Sequence, residues 1–231
     1  MPTIWILIAS TGDQRYLAET LDSINLVRGY YPNYNILTVI SLHSTSDNLQ
    51  QVYYNTQNVI TYYQPQPLSQ FQHYNFLVNQ LSIADNDRVI VCDDDDLLLP
   101  NALDNIFTYS SWIGLHILAE DKLTSDLLSV WKEDRSLFES IISNIYPERI
   151  AEDLTGTTSN GRDFKEYFNQ RKGKFIIAML EDTNYMTYIE SLPHIIKLST
   201  PIVIHRIKDN PSLWLQRLTN PSSVPEICNT E

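Results

Sequence analysis

Four consecutive aspartates, Asp93 to Asp96, stand between the apolar run Arg88-Val-Ile-Val-Cys92 and Leu97-Leu-Leu-Pro100, and this junction restricts the fold more than any other stretch. A short run rich in β-branched residues reads as a buried strand. Its C-terminal end therefore delivers several carboxylates to one point at the end of a sheet. Like charges packed so closely repel, and a hard divalent cation neutralises such an arrangement. A solvated acidic turn ahead of Pro100 would need no cation. Position separates the two readings, because open α/β sheets bind ligands outside the carboxyl ends of their strands.

The preceding residues supply such a sheet. Thr3 to Ser10 is apolar apart from its ends and reads as a second buried strand, followed by a Thr-Gly-Asp turn. Tyr16 to Val27 carries Leu17, Leu21 and Ile24 at the spacing of one helical face. Strands are predicted at Ile36–Leu42 and Val59–Tyr63, and a helix at Ser69–Leu81. Strand, helix, strand, short connection, strand, helix, strand is the pattern of a mostly parallel α/β sheet with helices on both faces. Beyond residue 100, helices are predicted at Asn101–Trp112, Asp134–Ile145, Asp163–Arg171 and after Glu181. Thr155–Gly161 reads as a loop, Lys174–Leu180 as a strand, and Ile195–Ile207 as one or two strands broken by Pro201. Trp112, Trp131 and Trp214 are assigned to packing.

Composition narrows the partners. A chain of 231 residues with 43% hydrophobic content has enough apolar surface for one domain with a sizeable core. Its formal charge of −12 argues against a general nucleic-acid binder. Residues 1–100 contain three arginines, no lysine and ten acidic residues. A phosphorylated ligand held there would draw on the charge of a metal. The two cysteines, Cys92 and Cys228, fall in a predicted buried strand and a Pro-containing tail, which argues against a structural disulfide and for a reducing compartment. The opening residues lack a basic leader region and no stretch reaches transmembrane length, so a cytoplasmic chain is expected, with peripheral membrane association left open.

Several segments, in order, resemble family-2 glycosyltransferases with the GT-A fold. They are the opening from Ile6 through Ser10-Thr-Gly-Asp13 to Ile24, the Asp93-Asp-Asp-Asp-Leu-Leu-Leu-Pro100 segment as an Asp-x-Asp-Asp-x-Leu-x-Pro motif, Leu180-Glu-Asp-Thr-Asn184 as a Glu-Asp motif opening a helix, and Ile202-Val-Ile-His-Arg206 as the closing strand. The resemblance implies a single Rossmann-like domain. Residues 1–100 would form the nucleotide-sugar half, 101–219 a smaller acceptor-side half, and 220–231 a flexible tail. It also implies a metal-dependent, inverting transfer of a sugar from a nucleoside diphosphate donor to a glycan or other hydroxyl acceptor, with Mn²⁺ or Mg²⁺ as cofactor.

The same resemblance distributes the roles. Asp93 would sit by the donor and Asp95 would be the principal metal ligand; Asp94 occupies the variable position as a further candidate donor contact, and Asp96 is left to the donor sugar, a bound water or the metal. Asp182 would be the general base, with Glu181 as its alternate. His205 would complete the metal site, in competition with Arg206 for the phosphate contact, since the two face opposite ways along a strand. Ser10, Thr11, Asp13 and Asn75 would contact the nucleotide. Bland readings stand beside these: Glu181 and Asp182 also suit a helix N-terminus, and a histidine in an apolar strand also suits a core. The Thr155–Gly161 loop is an expected acceptor-side lid. The chain departs from the family at the end of its second strand, where Ser41, Leu42 and His43 replace the usual base-reading aspartates, and at Tyr74-Asn75, where the family carries Arg-Asn. Two rival readings are a sugar-phosphate nucleotidyltransferase and an inactive GT-A-like binding module. The single glycine and lack of lysine in the first turn count against the former.

Overall fold

Alternation along one strand sets the architecture. In β1 (Thr3–Ser10), Ile4, Ile6 and Ile8 pack into one apolar cluster and Trp5 and Leu7 into another. A strand buried on both faces needs cover on both. The computed structural model describes residues 1–12, 14–43, 58–104, 106–145, 150–172 and 178–207. Within them β1 lies between β2 (Asn35–His43) and β4 (Arg88–Asp93), parallel to both, and β3 (Val59–Gln64) runs parallel beyond β2. Beyond β4 the sheet continues through β7 (Ile150–Asn160), β6 (Ser111–Glu120), β9 (Val203–Ile207) and β5 (Leu97–Leu98). The short β8 (Ile195–Lys197) pairs with the start of β6. Strand β7 is antiparallel to both its neighbours, whereas β9 and β8 run parallel to β6.

Helices cover the two faces. Leu17, Leu21 and Ile24 of α1 (Gln14–Tyr30) join the Ile4 cluster, while Phe71, Tyr74 and Leu77 of α2 (Gln70–Gln80) join the Trp5 cluster. The Ile4 side is completed by α3 (Asp121–Glu133) and α4 (Arg135–Ile145), and the Trp5 side by α5 (Gly161–Arg171) and α6 (Ala178–Glu190). The mostly parallel α/β sheet read from the sequence is the sheet observed. No helix among the described residues is long and apolar enough to cross a membrane.

Three local expectations are corrected. Asn101–Trp112 is not a helix but a string of turns leading into β6. Backbone bonds from Ala102 to Leu99, Asp104 to Asn101 and Ile106 to Leu103 close those turns. They bury Ala102, Leu103 and Ile106 at intervals that imitate a helical face. Ala178–Leu180, the end of a predicted strand, belongs to α6, and residues 174–177 of that expectation lie outside the described residues. The predicted Thr155–Gly161 loop is the end of β7 and the first residue of α5, with Thr155, Thr157, Thr158 and Ser159 buried. A buried strand cannot serve as a lid.

That strand is nonetheless irregular. Trp112 pairs with Thr158 and Gly114 with Asp153, so residues 154–157 of β7 oppose Ile113 alone and bulge out of the ladder. Two glycines make room for the bulge. Gly156 adopts a left-handed φ of 75°. A Cβ on Gly114 would lie 2.2 Å from the Thr155 carbonyl oxygen.

Candidate functional site

The carboxyl ends of β1 and β4 open into a small cleft of about 180 Å³ lined by Ser10, Thr11, Gln70, His73 and Asp93 to Asp95. Local chemistry fixes its walls. The Ser10 hydroxyl donates to Asp94 Oδ2 at 2.6 Å and accepts the Gly12 N–H at 3.0 Å, which holds the β1–α1 turn against the aspartate run. The bulge in β7 brings Thr155 alongside, and its hydroxyl oxygen accepts the Asp93 N–H at 3.1 Å. From the opposite wall the Gln70 amide donates to Asp93 Oδ1. Gln70 is delivered by a capping box in which Ser69 and Gln72 satisfy each other's backbone N–H at the start of α2.

Asp93, Asp95 and Asp96 each offer a carboxylate oxygen within 4.8 Å of the others. Asp96 also belongs to a deeper group. It is fully buried, its Oδ1 accepts the Arg206 N–H at 3.1 Å, and its Oδ2 lies 3.2 Å from His205 Nδ1. Asp96, His205 and His116 likewise offer atoms within 4.8 Å of one another. Burial alone would raise the Asp96 carboxyl, but His205, then His116 and the Arg206 amide, outweigh it and hold the group at about 2. His116 Nε2 sits 2.6 Å from the Thr155 carbonyl oxygen. A carbonyl only accepts, so Nε2 carries a proton, and when the ring is neutral Nδ1 is its electron-pair donor. Carboxylate oxygens with imidazole nitrogens form a donor set that suits Mn²⁺, while the carboxylates alone suit Mg²⁺. The residues present fit a divalent cation.

The other predicted site residues fall in different surroundings. Glu181 is fully buried in α6, where its Oε2 accepts from the Tyr167 hydroxyl at 3.0 Å and lies 3.5 Å from Arg171 Nη2. Asp182 is half-buried. Its charge reaches Tyr74, whose hydroxyl is pushed well above its ordinary range by burial first, then by Asp93, Cys92 and Asp182. The Tyr74 hydroxyl donates to the carbonyl of Cys92, the residue before the aspartate run, at 3.4 Å. The Arg206 guanidinium is not brought to the cleft. It is buried between Glu19 and Asp121, donates to the Asp95 carbonyl at 2.8 Å and lies 4.7 Å from the centroid of the Tyr16 ring. Asn75 sits half-buried on α2 outside the cleft lining. Asp13 lies outside the described residues.

Gln70, His73, His116 and Thr155 line or brace the site; the first three were absent from the sequence reading, and Thr155 entered it only as the start of an expected loop. The capping box at Ser69 was a usable signal for Gln70 and His73, which sit three apart on one helical face. For His116 and Thr155 the signal lies in strand pairing, which local pattern does not carry.

No family model matches this sequence, and no curated protein matches it either. Among solved structures the chain is similar to TarS of S. aureus, residues 1–349 in complex with UDP-GlcNAc. The TM-score is 0.57 at 13% identity, covering 89% of this chain and 58% of that one. The fold is GT-A-like. The chain thus spans less than two thirds of that structure's length. It is also similar to 4-diphosphocytidyl-2C-methyl-D-erythritol synthase, with a TM-score of 0.52 at 12% identity over 87% of this chain and 94% of that one. Both are likenesses of GT-A-like architecture at low identity.

Proposed function

We propose that this protein is a metal-dependent glycosyltransferase that moves a sugar from a nucleoside diphosphate to a hydroxyl acceptor with inversion. The observation that carries the reading is the convergence of Ser10, Thr11 and three aspartates at the carboxyl ends of β1 and β4 in a GT-A-like sheet. Asp95, Asp96 and His205, with His116 beside them, would hold a Mn²⁺ or Mg²⁺ ion. When bound, that ion supplies the positive charge that a diphosphate leaving group needs, where residues 1–100 carry three arginines against ten acidic residues. Asp93, braced by Gln70 and Thr155, orients the donor, and Ser10 and Thr11 face the nucleoside. Asp182 takes the proton from the acceptor hydroxyl at its carboxylate. Glu181 holds α6 in place through Tyr167 and Arg171.

The likeness to the synthase, which spans nearly all of that enzyme, favours one rival: transfer of a nucleotidyl group to a sugar phosphate. Products distinguish them. A thermal-shift panel of nucleoside diphosphate sugars with and without Mn²⁺ identifies the donor by mass action. Incubation with the stabilising donor and simple sugar acceptors should then release nucleoside diphosphate. Release of pyrophosphate from a nucleoside triphosphate and a sugar phosphate would establish the rival. Binding with neither product would mark a binding module.

A further inference from the structure

The cleft has an end that the transfer chemistry does not use. His73 lies one turn after Gln70 on α2, lines the same cleft and is 2% exposed. Where Gln70 grips Asp93 on β4, His73 packs against Ser41 at the end of β2, with β1 in between. Two strand spacings amount to about 10 Å, comparable to the span by which a ribose separates a diphosphate from the far edge of its base.

The hydrogen bonds set the tautomer. Ser41 Oγ accepts the Gln64 amide N–H at 2.9 Å and lies 2.7 Å from His73 Nδ1. Among the described residues these are its two partners; the arrangement that gives the buried hydroxyl proton an acceptor places it on Nδ1, with the ring proton on Nε2. Nε2 is buried with no hydrogen-bond partner among the described residues. Burial first, and the charge of His43 second, hold the ring at about 4, so it is neutral near pH 7. A neutral ring with one proton to give is a poor phosphate ligand and a good match for a carbonyl oxygen.

We propose that His73 donates its Nε2–H to the carbonyl on the far edge of the donor's nucleobase, C4=O of uracil or C6=O of guanine, so that the protein selects these bases over cytosine and adenine, which carry an amino group at that position. This rests on reading the Asp93–Asp95 cleft as a nucleoside diphosphate site. It also accounts for the missing aspartates: Ser41 and Gln64 set a histidine proton in place of a carboxylate that reads a base N–H.

Calorimetric titration of the full chain with UDP against CDP, and GDP against ADP, each with Mn²⁺, tests the idea. In whichever pair binds, the carbonyl-bearing base should bind at least about tenfold more tightly, the loss expected when a buried donor meets another donor. The preference should vanish in His73→Phe and shrink in Ser41→Ala, which frees the ring to carry its proton on either nitrogen while leaving the packing nearly intact. Equal or reversed affinities in the unmodified protein, or a preference surviving both substitutions, would overturn the assignment. If none of the four nucleotides binds the folded protein, the nucleotide reading of the cleft falls first and this proposal with it.

Discussion

Glu181 is sealed against Tyr167 and Arg171, whereas its neighbour Asp182, the proposed base, is only half-buried. Asp182→Asn should therefore lower turnover by about 10²–10⁴-fold while leaving donor affinity unchanged, as steady-state rates beside calorimetric titration would show. Glu181→Gln should instead cost about 1–3 kcal/mol of stability, read from urea unfolding, with donor affinity retained. His73 gives a pH dependence of definite sign. The unfolded chain binds its proton below about pH 6.5, whereas the folded ring does so only near 4. Its stabilising contribution is complete above pH 6.5 and is lost as pH falls towards 4. Between pH 7 and 5 the native protein should lose about 2 kcal/mol that a His73→Phe variant does not lose. Asp93 to Asp96 were legible as site candidates because an apolar run ends at them, and His205 through the closing strand that the family resemblance assigns. His73 and His116 were not, because what gives them a role is a partner supplied by another strand.

The strands β1, β2 and β4 could be read with nearly correct bounds because a parallel strand buried on both faces is a continuous apolar run. Strand β7 could not. Its Thr-Gly-Thr-Thr-Ser-Asn stretch has the composition of a turn, and only pairing with β4 and β6 makes it a strand. The bulge within it shapes the cleft, so its glycines are open to test. Gly114→Ala forces a methyl into the Thr155 carbonyl. It should destabilise the fold by about 1–3 kcal/mol. Because Thr155 also supports Asp93, Mn²⁺-dependent donor binding should weaken in the same variant, which a melting curve with and without donor would reveal. The turns ahead of β6 misled in the opposite sense: three i→i−3 bonds, donated by Ala102, Asp104 and Ile106, bury apolar residues at nearly helical intervals without forming a helix.

Across the whole molecule, the parallel half follows a repetitive strand-helix order that sequence pattern captures, while the later half inserts an antiparallel strand and returns β9 beside β6 from far along the chain. Arg206 is where these parts meet. Its guanidinium joins Glu19 of α1, Asp121 of α3 and the Asp95 carbonyl. Arg206→Met should cost about 1–3 kcal/mol, since Glu19 and Asp121 lose their buried partner and keep only the exposed Arg15 as a cationic partner among the described residues. Arg206→Lys should recover only part, because an ammonium lacks the fork that spans both. Chemical denaturation of the two variants checks both statements. The bonds from Asp96 to His205 and Arg206 join residues 109 and 110 positions apart. A ribosome releases the aspartate run long before it releases the ring and amide that seat it. The acidic pocket therefore closes only when β9 has emerged, and a chain halted before that strand carries the charges of the site without its floor.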